Sequence, residues 1–252
     1  KGWQLTCFNR DRTVRWVRYI DCQWNFCFEH SIYKEDDGFV VGYYHGNANQ
    51  TRIKRTIRCI QEKYDYAGNL LWSWASDSSL LINGANHLFK TKDGGYAIAT
   101  ALSIEIPEFG GTSSRKADDC LVFKLDSARN MLWQRPLRAH SYSVPARIER
   151  LFELEDSSLM VFGVTPDTFW NPQTSRWDYQ YNLLVAHLSP SGDSLWANQY
   201  YYFNEQRAAR HLIYDVERTF DGGYLCAGEA KGTGQGAYQQ GWLLKLDSMG
   251  CL

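Results

Sequence analysis

The chain has 252 residues, of which 15% are aromatic and only 6 are proline, and its formal net charge is −1. This near-neutral charge lacks the basic excess with which proteins attract nucleic acid, and no apolar run is long enough for a transmembrane helix. The many aromatic residues favour a packed core over disorder. We therefore expect a soluble protein, cytosolic or secreted, with no nucleic-acid partner and no membrane span.

A short hairpin signature, in which Asp is followed by Gly or Ser, recurs four times. Its copies, which lie 57, 63 and 65 residues apart, begin at Asp36, Asp93, Asp156 and Asp221. Asp can bond its own backbone and Gly accepts a positive φ, as short hairpin loops require. The third copy has Ser157 and Ser158 in place of the glycines, so its turn is expected to be of a different type or more strained.

A second signature places a Trp seven residues after a polar residue that opens a turn. Its four copies run from Asn9 to Trp16, from Asp65 to Trp72, from Asp126 to Trp133 and from Ser189 to Trp196. The constant spacing predicts that each Trp occupies the same place on the last strand of a repeated unit.

The two signatures alternate and predict a unit of four antiparallel strands, A to D. Strands A and B flank the Asp turn, strand C carries a Leu-Lys-Leu-type run, and strand D carries the Trp. Such units, repeated every 40 to 65 residues or so, are typical of a β-propeller. We predict one all-β domain over 1–252, with a partial blade at 1–20, blades at 28–76, 86–137 and 148–200, and a blade at 211–252 that lacks its last strand. Either the N-terminal D strand completes that last blade, or the ring has five or more blades, or the chain is a fragment of a larger ring.

Seven cysteines occur without a CxxC pair, which disfavours a zinc or thioredoxin-type site. Cys22 and Cys27 are close enough in sequence for a local disulfide. Most of the cysteines are expected to be small buried hydrophobic residues.

The pattern Asp-Gly-Gly-Tyr, then Trp-Leu-Leu-Lys-Leu-Asp-Ser-x-Gly, then Leu-Trp resembles the propeller repeats of secreted Bacteroidetes proteins, which often end in a type IX secretion sorting domain. The resemblance is clearest at 86–136 and 212–252. The ending from Asp247 to Leu252 is similar to the place where such a propeller passes into the sorting domain. The resemblance implies export to the cell surface or the extracellular space, but no single activity, because the fold hosts many.

The Asp-turn-Trp signature is also similar to the tryptophan-docking motif of quinoprotein-type propellers, whose cofactor contacts are not recognisable here.

Length variation between the units falls in the B–C connections, at 44–54, 104–118, 165–180 and 229–240, and in the D–A connections. In a propeller these connections share one face, so we expect that face to bind a protein or glycan. The aromatic and acidic residues of 165–180 suit sugar stacking or a protein contact, but they could also fold over their own loop. The candidate binding residues are Asp167, Phe169, Trp170, Trp177 and Tyr179, with Phe109 and Tyr238 from the neighbouring connections.

Polar residues stand six positions before each hairpin Asp, at the predicted start of strand A: His30, His87, Arg150 and Asp215. They are expected to form the rim of a central channel. Two histidines and an acid could hold a metal, but a solvated rim is the simpler interpretation, with neighbouring blades keeping the side chains several ångströms apart. We therefore predict no metal and no cofactor.

No Ser-His-Asp order, nucleophile elbow, HExxH motif or acid pair stands out, so no catalytic residue is assigned. The sequence favours a non-catalytic extracellular or cell-surface binding or scaffold module, for which a larger surface assembly is one expected setting. The alternative is a secreted carbohydrate-active hydrolase or lyase, with acids chosen from Glu105, Glu108, Asp167 and Asp178. A quinone- or metal-bound oxidoreductase is a third hypothesis.

Overall fold

The structure is a computed structural model that describes residues 2–21, 26–46, 57–76, 87–107, 114–137, 147–172, 175–201, 210–232 and 238–252. Every regular element in these ranges is a β-strand, which confirms the all-β class. The described part of the chain contains no helix with the length and hydropathy of a membrane span.

The strands form five consecutive antiparallel meanders, which we number I to V. Meander I contains β1 (Gly2–Phe8) and β2 (Val14–Asp21). Meander II contains β3 (Phe26–Glu35), β4 (Gly38–Gly46), β5 (Ile57–Asp65) and β6 (Leu70–Ala75). Meander III contains β7 (His87–Lys90), β8 (Tyr96–Pro107), β9 (Ser114–Leu125) and β10 (Met131–Leu137).

Meander IV contains β11 (Arg147–Glu153), β12 (Leu159–Asn171), β13 (Arg176–Leu188) and β14 (Ser194–Tyr200). Meander V contains β15 (Arg210–Arg218), β16 (Tyr224–Lys231) and β17 (Gln239–Leu246). One parallel pair, Tyr181 with Arg210, joins meanders IV and V into a seven-stranded sheet. Meanders II, III and IV therefore have four antiparallel strands each, in the predicted order A to D.

The N-terminal strand of type D does not complete meander V. Strand β2 pairs with β1, and in the described part of the chain β17 pairs with β16. The alternative in which the first D strand closes the last unit is therefore not the arrangement seen here.

Each meander packs face to face on the next one along the chain. In β12, Leu159 and Val161 belong to a cluster shared with meander III, whereas Met160, Phe162 and Val164 belong to a cluster shared with meander V. Successive side chains of a strand point to opposite faces, so both faces of this sheet are buried. This explains why the apolar and polar residues of the inner strands do not alternate cleanly in the sequence.

The buried cysteines belong to these same interfaces. Cys59, Cys120 and Cys226 lie in three different clusters between meanders. Burial raises the pKa of the Cys59 and Cys226 thiols to about 12, so both are protonated at neutral pH. Cys22 lies outside the described residues, as does the side chain of Cys27.

The A–B turn of meander IV has the same hydrogen bonds as its glycine-containing counterpart in meander III. Leu154 N donates to Ser158 O at 2.8 Å, as Thr91 N donates to Gly95 O at 2.9 Å. Ser157 has φ 66°, a left-handed conformation that Gly94 adopts in meander III. Of the two expectations for this turn, the strained form of the same turn is the correct one, because a Cβ atom disfavours positive φ.

Buried lysines on the C strands form ion pairs with aspartates of the A–B turns. Lys124 Nζ lies 2.8 Å from the Asp93 carboxylate. Burial alone would raise the pKa of Asp93, but the hydrogen bonds from Lys124 and Thr91 outweigh it and lower the pKa to about 2. Lys63 makes the equivalent contact with Asp37 at 2.7 Å, so Asp37 and not Asp36 occupies this place in meander II.

Candidate functional site

Two hairpins extend beyond the strands that flank them. In meander IV, the β12–β13 ladder continues from the pair Thr165–Asn182 to the pair Asn171–Arg176, past the last described pairs with β11 and β14. Seven residue pairs at about 3.3 Å per residue give a projection of about 20 Å. We call residues 165–171 and 176–182 the long arm.

A shorter projection of the same kind occurs in meander III. The β8–β9 ladder continues from Leu102–Asp119 to Pro107–Ser114, past the described pairs with β7 and β10. The connections expected as loops at 104–118 and 165–180 are thus largely paired strands. Because B–C and D–A connections leave the same end of an antiparallel meander, both projections stand at that end.

The long arm carries most of the residues that the sequence analysis selected for binding. Trp170 is 51% exposed, and its register partner on the opposite strand is Trp177. Thr168 stands opposite Tyr179 in the same ladder. The fold therefore places the backbones of these aromatic residues next to one another near the tip of the arm.

Several candidate side chains lie outside the described residues. The backbones of the following residues are described but their side chains are not: Glu105, Asp167, Phe169, Trp177, Asp178 and Tyr179. Phe109 and Glu108 lie outside the described residues altogether. Tyr238 is described, stands directly before β17 and is 77% exposed.

Three of the four polar residues expected at the start of the A strands meet across three meanders, although only His87 begins its strand and Arg150 and Asp215 lie inside theirs. Arg150 of β11 lies between His87 of β7, with 3.4 Å between Nη1 and Nε2, and Asp215 of β15, with 3.1 Å between Nη2 and Oδ1. Its Nη2 also contacts Glu217 at 2.7 Å, and its Nε donates to Val216 O at 3.1 Å. These side chains were expected to lie apart, but the long guanidinium group spans the gap between strands.

His30 does not share this register. His87, Arg150 and Asp215 pair with Ala99, Phe162 and Ala227, each three residues after the start of its B strand. The residue at the corresponding place in meander II is Ser31, which pairs with Gly42, three residues after Phe39, the counterpart of Tyr96. Counting back six residues from Asp36 fails there because the β3–β4 turn encloses one residue fewer than the others, so that Asp37 takes the place of Asp93; six residues before Asp37 is Ser31. The side chain of His30 lies outside the described residues.

His87 is neutral at pH 7. Its burial, with a further contribution from the charge of Arg150, lowers its pKa to about 4, and Asp215 opposes this only in part. Arginine nitrogens can only donate, so Nε2 accepts from Arg150 and the proton resides on Nδ1. The Nδ1 atom is buried and has no hydrogen-bond partner in the described part of the chain.

These A strands also line a cavity of about 370 Å³. Its walls combine aromatic rings with charged and polar groups from β3, β7 and β11: Tyr33, His87, Phe89, Lys90, Arg150, Leu151, Phe152 and Glu153. The sequence analysis found only His87 and Arg150 of this set. Apart from Tyr33, the others follow His87 and Arg150 within three residues on β7 and β11, but which of these side chains reach the cavity depends on how the strands pack.

The described residues contain no group of three or more His, Cys, Asp or Glu side chains placed to hold a metal. The charged groups near the cavity are instead paired with one another. Lys90 Nζ lies 3.3 Å from the buried Glu35 carboxylate, and the Glu153 carboxylate accepts from Lys92 N at 2.7 Å. The arrangement is suited to binding a polar ligand.

The fold and these sites define an all-β protein built from serial antiparallel meanders, with projecting hairpins and a cavity lined by the A strands. No family model matches the chain, and no curated protein matches it. Among solved structures, the chain is similar to MPT-4, a mannose phosphorylase from Leishmania mexicana, in complex with a phosphate ion. The identity is 12% and the TM-score 0.45, and the match covers 86% of this chain and 66% of that one. A likeness at this level assigns neither a family nor an activity.

Proposed function

We propose that the chain is a non-catalytic binding module in which the meanders are blades of a β-propeller. Three of them have four antiparallel strands, as propeller blades do, and each buries a face against the next. In this architecture the B–C hairpins project from one face of the ring. The partner, a protein or a glycan, binds at that face.

The observation that carries this proposal is the long arm with its exposed Trp170. Beyond the pair of Tyr181 with Arg210 the arm is a two-stranded hairpin, which by itself is marginally stable in water, and half of the surface of Trp170 remains exposed on it. Trp is also the residue most enriched among the energetic centres of protein interfaces, and its ring stacks on sugars. The long arm is therefore best understood as a recognition element presented by a rigid sheet.

The proposed cellular location of the protein rests on the resemblance of its repeats to those of other proteins. Repeats of the Asp-Gly-Gly-Tyr type are similar to those of exported Bacteroidetes proteins, so the module acts at the cell surface or outside the cell. There it is one part of a larger surface assembly.

The test compares binding by the wild type, Trp170→Ala and Phe220→Ala. Phe220 is a fully exposed aromatic residue in the A–B turn of meander V, at the other end of the strands, and so provides a matched control. The probes are a glycan array and purified outer-surface proteins. We expect Trp170→Ala to weaken binding at least tenfold and Phe220→Ala to leave it unchanged.

Equal binding by wild type and Trp170→Ala would remove the long arm as the site. Release of reducing sugar from a bound polysaccharide would instead support the alternative, a secreted carbohydrate-active hydrolase or lyase.

A further inference from the structure

We propose that the cavity between β3, β7 and β11 is a second binding site, separate from the long arm, for a small carboxylate bearing a saturated ring, of the size and kind of a uronic acid. The cavity volume of about 370 Å³ lies within the range of small-molecule sites. Four observations carry the proposal: two unused donors, the balance of charge in the walls, the aromatic rings and the fixed position of Arg150.

The first observation is a surplus of hydrogen-bond donors. Arg150 has five N–H groups, of which four are used by His87, Asp215, Val216 and Glu217. One N–H of Nη1 is left over on the His87 side of the guanidinium group. The ammonium group of Lys90, which lines the same cavity, contacts Glu35 and has further N–H groups to donate. A carboxylate supplies acceptor oxygens for donors of this kind.

The second observation is the charge of the cavity walls. The lining residues include two cations, Lys90 and Arg150, and one anion, Glu153. The Glu153 carboxylate is already bonded to Lys92 N. Lys90 is anchored to Glu35 by one contact and keeps further N–H groups for a ligand. Although both cations are paired with carboxylates, each keeps an N–H group that an incoming anion can accept.

The third observation is the set of rings around these donors. Tyr33, Phe89 and Phe152 come from three different strands and line the same cavity. Aromatic faces pack against the C–H face of a saturated sugar ring. A carboxylate without a ring would leave these walls uncovered, and a neutral sugar would make weaker hydrogen bonds to the remaining N–H groups of Arg150 and Lys90 than a carboxylate makes, so the site favours a molecule that has both parts.

The fourth observation is that Arg150 is held before any ligand arrives. Its guanidinium group bridges β7 and β15 through His87, Asp215, Val216 and Glu217. A side chain that is already fixed loses little conformational entropy on binding. The remaining N–H group of Arg150 is therefore preorganised for a ligand.

The experiment is isothermal titration of the whole chain with glucuronate, with glucose as the neutral ring and acetate as the ringless carboxylate. We expect glucuronate to bind with a Kd below about 1 mM and the other two compounds to bind at least tenfold more weakly. His87→Phe keeps a ring but removes the acceptor that holds Arg150 Nη1 in place, and it should weaken glucuronate binding at least fivefold. Trp170→Ala should leave this binding unchanged, which separates this site from the long arm.

Lys90→Gln provides a second variant at a half-exposed position, should His87→Phe not fold. We expect it to weaken glucuronate binding and to narrow the difference between glucuronate and glucose. Three results would overturn the proposal: equal affinity for glucose, no detectable binding of glucuronate, or unchanged affinity in a folded His87→Phe variant. Loss of glucuronate binding on Trp170→Ala would place the site on the arm and would also overturn it.

Discussion

Trp133 Nε1 donates a hydrogen bond to the carbonyl oxygen of Pro190, 2.9 Å away, across the boundary between meanders III and IV. Two residues along, Arg135 Nε donates to Gly192 O at 2.6 Å. The same pair of contacts joins meanders I and II, where Trp16 donates to Tyr66 O at 3.1 Å and Arg18 to Gly68 O at 2.6 Å. The Trp of one D strand thus docks on the C–D turn of the next meander.

Variants of this arrangement occur at the other two boundaries. Arg129, in the C–D turn of meander III, lies over the ring of Trp72 at 5.1 Å. Tyr200 Oη donates to Gly250 O at 2.6 Å beside the ring of Trp196. The constant seven-residue spacing in the sequence therefore corresponds to a repeated contact between meanders, not only to a repeated place on a strand.

Removing the indole N–H of Trp133 should destabilise the protein without unfolding it. Trp133→Phe keeps most of the ring packing but leaves Pro190 O without its donor, so we expect the free energy of unfolding to fall by about 1–2 kcal/mol. Urea denaturation provides the measurement. Trp170→Phe, the same substitution on the exposed arm, should change stability by less than about 0.5 kcal/mol. Equal effects at the two positions would show that the hydrogen bond from Trp133 to Pro190 does not contribute to stability.

Gly192→Ala should be more destabilising than Gly94→Ala. Both glycines have positive φ, 84° and 80°, so each substitution costs about 1 kcal/mol from the backbone alone. A Cβ atom at Gly192 would stand 2.6 Å from the Trp133 ring, whereas at Gly94 the nearest atom is 3.7 Å away. We expect about 1–3 kcal/mol more loss at Gly192, from overpacking against the ring. Equal losses in thermal denaturation would contradict the close approach of this turn to Trp133.

Ser157→Gly should stabilise the protein. Glycine at φ 66° relieves the Cβ strain of the left-handed conformation but increases the entropy of the unfolded chain, so we expect a net gain of about 0.5–1 kcal/mol. Ser157→Ala is the control, because it keeps the Cβ atom and the strain and should be nearly neutral. Chemical denaturation of both variants measures the difference, and a destabilised glycine variant would argue against a strained turn.

His87 should make the protein less stable as the pH falls from about 6.5 to about 4. The folded pKa of about 4 lies below the ordinary value of 6.5, so the unfolded chain binds the proton first and acid favours unfolding. The contribution of His87 is complete above pH 6.5 and is lost as the pH approaches 4, at up to about 1.4 kcal/mol per pH unit.

Unfolding free energies of the wild type and of His87→Phe, measured between pH 4 and 7, isolate this contribution, since the other titrating groups are common to both. The two curves should run parallel above about pH 6.5, with a constant offset due to packing, and the wild-type curve should fall relative to that of His87→Phe as the pH decreases from 6.5 to 4. Curves that stay parallel down to pH 4 would mean that His87 is not buried as a neutral imidazole.

Because the sequence repeats, the number and order of the strands in each unit could be predicted from it. Asp turns and Trp positions recur at corresponding places, and the structure has four antiparallel strands in the expected order in meanders II, III and IV. The errors came where one copy departs from the others. The β3–β4 turn is one residue shorter, which moved the expected rim position from Ser31 to His30. At 165–180, residues that read as a loop continue the ladder, because cross-strand pairing can extend past the flanking strands.

The sequence by itself determined the all-β class, the four-strand repeat and the position of the docking Trp, because turn chemistry and side-chain spacing are local properties of the chain. Only the tertiary structure decided that Arg150 connects His87 to Asp215 and that three A strands enclose a cavity with Lys90 and Phe152 in its walls. His87 and Asp215 lie 63 and 65 residues from Arg150 in the chain, so the distances between these groups depend on how the meanders pack against one another.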